Sequence, residues 1–368
     1  MTVDESPFPH HGPLAPEDVT GRDEEVADLA RRLRDRRPVA VLGPRRYGKT
    51  TLLRHVLWQA DHVESTAAVW VDLYGVASVA DFAVRLDRAL TAVRGRLRPV
   101  LDVVAGGLSV QLGAVGVELR RAAPSGPDPV AAAHDLLAVL VQAAGRIRVV
   151  AAFDEFADIA HVDGLDGLLR THLQHHYRTL GLVFAGSSPS MMRTLFASRV
   201  RPFFGQADLV ELGPLTPTAV TSIVHEGFAS TGRGAGPVAI RVGGLAGGHP
   251  QRTMQLADGA WQQTPLGTEA SEATWADALA TTRGAVDGSM SALYGELPVA
   301  QGRVLRAVAR TGSPFAAAEA RFHDLSNSSI TAARDALVRE GHLARREETA
   351  KLYVVDPLFG DWLLRTFP

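Results

Sequence analysis

One eight-residue run limits this chain more than anything else: Gly43, Pro44, Arg45, Arg46, Tyr47, Gly48, Lys49, Thr50. It sits between an apolar run at 39–42 and an apolar helical pattern opening Thr51, Leu52, Leu53. This is G-x-x-x-x-G-K-[ST] in the strand-then-helix setting that the pattern demands. The glycines let backbone N–H groups wrap a phosphate, and the helix N-terminus adds positive potential. The lysine neutralises terminal phosphates, and the threonine offers a hydroxyl to Mg²⁺. Gly43, Gly48, Lys49, Thr50 and Thr51 are therefore the expected nucleotide-binding set, with Lys49 also counted as catalytic and Thr50 as a metal ligand. Among 38 basic residues only Lys49 and Lys351 are lysines. A compact ammonium has been kept where the planar fork of arginine would not fit.

Around this loop the chain alternates strand-like and helix-like segments. A helical pattern over 23–36 precedes the run at 39–42, and further apolar runs follow at 67–73, 148–153, 181–185 and 207–212, separated by helical patterns such as 81–97 and 130–144. Strands alternating with helices predict an α/β fold with a parallel sheet. Four prolines within 1–18 predict a flexible tail there, leaving a P-loop core over 19–213. Residues 214–285 read as a helical lid broken by glycine joints. Residues 286–368 read as three helices and a two-stranded ribbon, a C-terminal winged helix-turn-helix domain. A period-two pattern around glycines at 108–119 predicts an inserted β-hairpin.

Composition excludes several classes. With 368 residues and 46% apolar content the chain is long enough for two or three domains with a sizeable core. The absence of cysteine removes disulfides, thiolate zinc sites and a cysteine nucleophile. A net charge of −2 gives no global field toward nucleic acid or anionic membrane. No run approaches a membrane span, so the expectation is a cytoplasmic, soluble protein without a membrane partner.

The segment Arg148 to Phe156 places Asp154 and Glu155 at the end of a buried strand. Two adjacent carboxylates at this distance from a phosphate loop suit a Mg²⁺ ligand and a water-polarising base respectively. At the tip of the next strand Ser187 and Ser188 are placed to bond a γ-phosphate, the attacking water, or simply the start of a helix. His172, His175 and His176 fall at helical spacing but lack a third ligand, so they read as a solvated face, and Mg²⁺ is the only metal expected.

These segments resemble the archaeal-type ATPase family, related to AAA+ and STAND P-loop NTPases. The resemblance rests on GlyArgAspGluGluValAlaAspLeu (21–29), the phosphate loop through Leu53, PheAspGluPhe (153–156), PheAlaGlySerSerProSerMetMet (184–192), GlyGlyHisPro (247–250) and TyrValValAspProLeu (353–358). It implies ATP and Mg²⁺ as cofactors, Gly21 and Arg22 beside the adenine, and Ser187 as the polar sensor. It further implies that His249 or Arg252 senses nucleotide from the lid. Arg201 or Arg199 lies where relatives carry an arginine finger, which implies a nucleotide-dependent homo-oligomer. Two purposes fit the family: an ATPase coupling nucleotide state to duplex DNA or assembly, and a signalling switch whose winged helix binds a protein partner. A third reading, a regulator that binds ATP or ADP without hydrolysis, conflicts with Glu155.

Overall fold

The computed structural model describes residues 5–12, 14–63, 66–97, 128–315, 325–346, 349 and 351–367. The core begins with α1 (Asp23–Arg34), β1 (Val39–Leu42), α2 (Lys49–Val63), β2 (Ala67–Asp72) and α3 (Val79–Ala92). It continues through α4 (Pro129–Ala144), β3 (Val149–Asp154), α5 (Leu165–Leu173), β4 (Leu180–Gly186), α6 (Pro189–Ala197) and β5 (Asp208–Glu211). All five strands are parallel, in the order β2-β3-β4-β1-β5.

The apolar runs are continuous rather than alternating because both sheet faces are covered. Val39 and Val41 point into a layer with Leu29, Leu33, Leu52 and Val56 of α1 and α2. Ala40 and Leu42 point the other way, into a larger layer with Leu86, Leu90, Leu136 and Leu140 of α3 and α4. Five phenylalanines, Phe153, Phe156, Phe184, Phe196 and Phe203, pack ring to ring there at 4.5–6.2 Å. Proline at the first helical position recurs as a start signal. Asp128 caps α4 ahead of Pro129 by accepting from the Val130 N–H, an arrangement that satisfies one orphan donor and pre-sets φ.

The second half is helical: α7 (Pro217–Ser230), α8 (Val238–Ala246), α9 (Pro250–Gln262), α10 (Glu272–Glu296), α11 (Val299–Thr311) and α12 (Asn327–Arg339). An antiparallel ribbon of β6 (Leu343–Arg345) and β7 (Leu352–Val354) follows, then α13 (Pro357–Thr366). The helix-helix-ribbon arrangement is that of a winged helix. The tertiary structure differs from the sequence expectations at four places. The 25-residue α10 runs straight through the expected boundary at 285/286, with Trp275 and Val286 in one apolar core shared by lid and winged helix. The final helix, α13, was not expected; its signal is Asp356-Pro357, where Asp356 accepts from the Leu358 N–H. The expected tail is anchored: Phe8 is buried, 5.6 Å from the ring of Phe228 and over Gly227, where a Cβ would come within 2.4 Å of it. Lastly, α5 ends at Leu173, so His175 and His176 lie beyond it, while His172 Nε2 meets His134 Nδ1 at 2.6 Å. The expected hairpin at 108–119 and residues 316–324, within the expected three-helix span, lie outside the described residues.

Candidate nucleotide site

The phosphate loop turns at the C-terminal end of β1, where its backbone has no room to drift. A Cβ on Gly43 would sit 2.7 Å from the Leu212 carbonyl oxygen, which rules out a side chain there. Gly48 has φ +84°, and Arg46, two residues earlier, also takes a left-handed conformation at φ +66°. Such a turn costs energy for arginine and turns successive N–H groups toward one concavity. Lys49 and Thr50 open α2, and the Leu52 N–H donates to the Gly48 carbonyl at 2.8 Å.

Lys49 is buried, with Nζ donating to the carbonyls of Gly43 at 2.8 Å and Pro44 at 2.7 Å. Burial lowers its pKa to about 8 against the opposing pull of Glu155 and Asp154. The ammonium is thus held inside the loop by carbonyls that a phosphate would replace. Thr50 Oγ1 donates to Asp154 Oδ2 at 2.8 Å. Burial raises the Asp154 pKa to about 6, with Thr50 opposing and neighbouring Glu155 reinforcing the shift. A carboxylate at this disadvantage next to a hydroxyl oxygen fits a divalent cation, whose charge would restore the ionised form. Thr51 is half-buried one position along α2.

Glu155 follows directly with φ +50°, a rare conformation for a non-glycine residue. That turn sends its carboxylate toward β4, where Oε2 accepts from the Ser187 N–H at 2.9 Å and Oε1 from the Ser187 hydroxyl. Ser187, the expected polar sensor, clamps the acid. Ser188 stands just before α6.

The lid and flanking residues divide into those facing the loop and those spent elsewhere. Arg22 is buried, and its guanidinium donates to Glu25 at 2.7 Å, the Gly213 carbonyl at 2.7 Å and the Tyr47 carbonyl at 3.3 Å. It straps the phosphate loop to the start of the lid. Gly21 beside it lines a cleft of about 1000 Å³ with Val19, Leu52, Leu212 and Ile223. The buried His249 packs edge-on against Tyr47, ring centroids 5.0 Å apart, and accepts from the Arg252 N–H at 3.3 Å. Burial lowers its pKa to about 4, so the ring is neutral at pH 7. Arg252 turns away to Asp356, with Nε donating to Oδ1 at 3.0 Å and Nη2 to Oδ2 at 2.5 Å. Of the two lid candidates, only His249 touches the phosphate loop. Arg201 pairs with Asp166 at 3.4 Å, and Arg199 is exposed. Neither makes a hydrogen bond or ion pair with the phosphate loop of its own chain among the described residues.

A phosphate loop at the tip of β1 in this parallel strand order, followed by a helical bundle and a winged helix, defines an α/β P-loop fold with a C-terminal winged helix. The chain shares it with a Walker-type ATPase of Pyrococcus abyssi (16% identity, 97% of this chain and 99% of that one, TM-score 0.71). It is also similar to the ORC2 protein of Aeropyrum pernix solved in ADPNP–ADP complexes (15%, 98% and 95%, 0.59). A third similar structure is the ORC1 protein of Aeropyrum pernix in complex with DNA (14%, 94% and 93%, 0.50). No family model matches the chain, and no curated protein matches its sequence. Among the described residues no helix is long and apolar enough to cross a membrane.

Proposed function

We propose that this chain binds ATP and hydrolyses it with Mg²⁺, coupling nucleotide state to DNA association or assembly through its winged helix. The observation that carries the reading is the convergence of Lys49, Thr50 with Asp154, and Glu155 with Ser187 at one end of the sheet. Lys49 would exchange its loop carbonyls for phosphate oxygens. Thr50 and Asp154 would hold a Mg²⁺ ion, which would supply charge neutralisation for the phosphates. Glu155, once parted from Ser187, takes a proton from the water that attacks the γ-phosphorus, so that ADP and inorganic phosphate leave. Ser187 is then released toward the γ-phosphate. His249 faces this loop from the lid, and Arg252 acts on the lid-to-wing contact. Arg201 or Arg199 would complete the site of a second copy in a nucleotide-dependent homo-oligomer.

The DNA part of the reading is supported by the fold shared with the ORC1 protein solved with DNA. A second reading, a signalling switch whose winged helix grips a protein partner, is favoured by α12 packing against core helix α6 and by Arg334 being paired with Asp335 at 2.7 Å. Both leave little cation for phosphates. Steady-state phosphate release tests the common core: Glu155→Gln is expected to slow it by about 10²–10⁴-fold while ATP still binds. Unchanged turnover would place the base elsewhere.

A further inference from the structure

Between the two glycines of the phosphate loop, Tyr47 alone has a buried side chain. It is flanked by Arg46 and Gly48, both at positive φ. A loop so bent holds its shape only if its surroundings fix it. Two distant elements do. His249 of the lid packs edge-on against the Tyr47 ring, and the Tyr47 hydroxyl lies 3.4 Å from that of Tyr353 in β7. The Arg346 guanidinium covers Tyr353, 5.6 Å from its ring centre. Three residues after Tyr353, Asp356 grips Arg252, whose own N–H donates back to His249. The contacts close a circuit from phosphate loop to wing, from wing to lid, and from lid back to the loop.

We propose that Tyr353 and Asp356 are positioning residues of the nucleotide site: the wing, through Tyr47 and Arg252, holds the phosphate loop and the His249 cap in register. The inference rests on the nucleotide reading of that loop. Positioning of this kind is reciprocal, because whatever the wing adds to nucleotide affinity the nucleotide must add to the hold on the wing.

The test uses full-length protein and ATP with Mg²⁺. A fluorescent ATP analogue is titrated into wild type, Lys49→Ala, Tyr353→Ala, Tyr353→Phe and Asp356→Asn, and amide exchange of 351–355 is followed in wild type with and without ATP. Tyr353→Ala is expected to weaken binding about fivefold or more, and Tyr353→Phe, which keeps the ring under Arg346 but loses the hydroxyl that meets Tyr47, to weaken it by an intermediate amount. Asp356→Asn keeps an acceptor for the Leu358 N–H, so α13 stays capped while the charge pair to Arg252 is lost; weakening is expected there too. ATP is expected to slow exchange of 351–355 in wild type, a readout that needs no variant to fold. Binding lost in Lys49→Ala but unchanged in Tyr353→Ala and Asp356→Asn, or exchange indifferent to ATP in a wild type that binds it, overturns the inference alone. A wild type that binds no ATP overturns the nucleotide reading and the inference with it.

Discussion

The phosphate-loop end of the sheet and the winged helix carry the same kinds of charged residue and use them in opposite ways. At the loop, Lys49 and Asp154 are buried at the cost of shifted pKa values, and their partners are groups that a ligand could displace: carbonyls and a hydroxyl. Residues 286–368 carry ten basic and ten acidic side chains, and several of those described in the winged helix form salt bridges with fixed partners. Arg365 holds Asp287 at 2.7 Å and Asp361 at 2.9 Å, while Arg283 reaches across from α10 to Asp361 at 2.6 Å. One region holds ionisable groups poised for exchange, and the other spends them on shape. Burying a charge without a strong partner is costly in a fold selected for stability alone, and Lys49 and Asp154 both carry that cost.

The sharpest break of that contrast is Lys49→Ala. Removing the one ammonium from the loop is expected to cost about 3 kcal/mol of nucleotide affinity, roughly 100-fold, measured by titration with ATP. Equal affinity in the variant would mean that the lysine serves the loop and no ligand.

Asp154→Asn separates stability from binding. The folded carboxyl holds its proton up to about pH 6, whereas in the unfolded chain it ionises near 3.9, so its ionisation above pH 6 opposes folding. That penalty disappears as pH falls from 6 toward 4. The asparagine variant, which keeps an acceptor for Thr50, is therefore expected to be more stable than wild type by about 2–3 kcal/mol at pH 7.5 without nucleotide. The gain should vanish near pH 4. Urea unfolding at both pH values checks this. His249 works in the other direction: its pKa, lowered to about 4, gives stability present above 6.5 that is lost as pH falls from there toward 4. It is common to both proteins and cancels in the comparison.

The smallest effect is expected at the wing. Each neutralised phosphate contributes about 0.9 to the salt slope, so an Arg345→Ala, Arg346→Ala double variant lowers the slope of DNA binding by at most about 1.8. Arg346 already lies over Tyr353, which takes part of its surface from any DNA contact. Identical binding by the double variant, or none at low salt, would give precedence to the protein-partner reading.

Much of the nucleotide end was legible as local sequence. The phosphate loop, the acidic pair Asp154 and Glu155 and the strand tip at Ser187 each announce themselves within eight residues, because each is a turn at the end of a buried strand. Their partnership with one another was less legible. That Ser187 clamps Glu155 depends on β3 and β4 being neighbours in register, Val149 opposite Leu180 through Phe153 opposite Phe184. Arg22 shows the same limit: its place beside Gly21 is plain from the sequence, yet it spends its guanidinium on Tyr47 and Gly213, the latter 191 residues away. The anchoring of Phe8 was hidden because proline spacing around it speaks of a broken backbone and says nothing of a lid surface, hollowed at Gly227, that would receive it.

The sequence by itself determined the elements: a helix starts where proline follows a capping residue, and a doubly covered strand reads as an unbroken apolar run, since both are short-range consequences of backbone sterics and burial. Only the tertiary structure decided which charges line the phosphate loop and which face one another. Lid and winged helix share one apolar core, Asp356 of the second meets Arg252 of the first, and Tyr353 meets Tyr47 of the phosphate loop. Partners 104 and 306 residues apart leave no local pattern, because their meeting is fixed by the packing of whole helices.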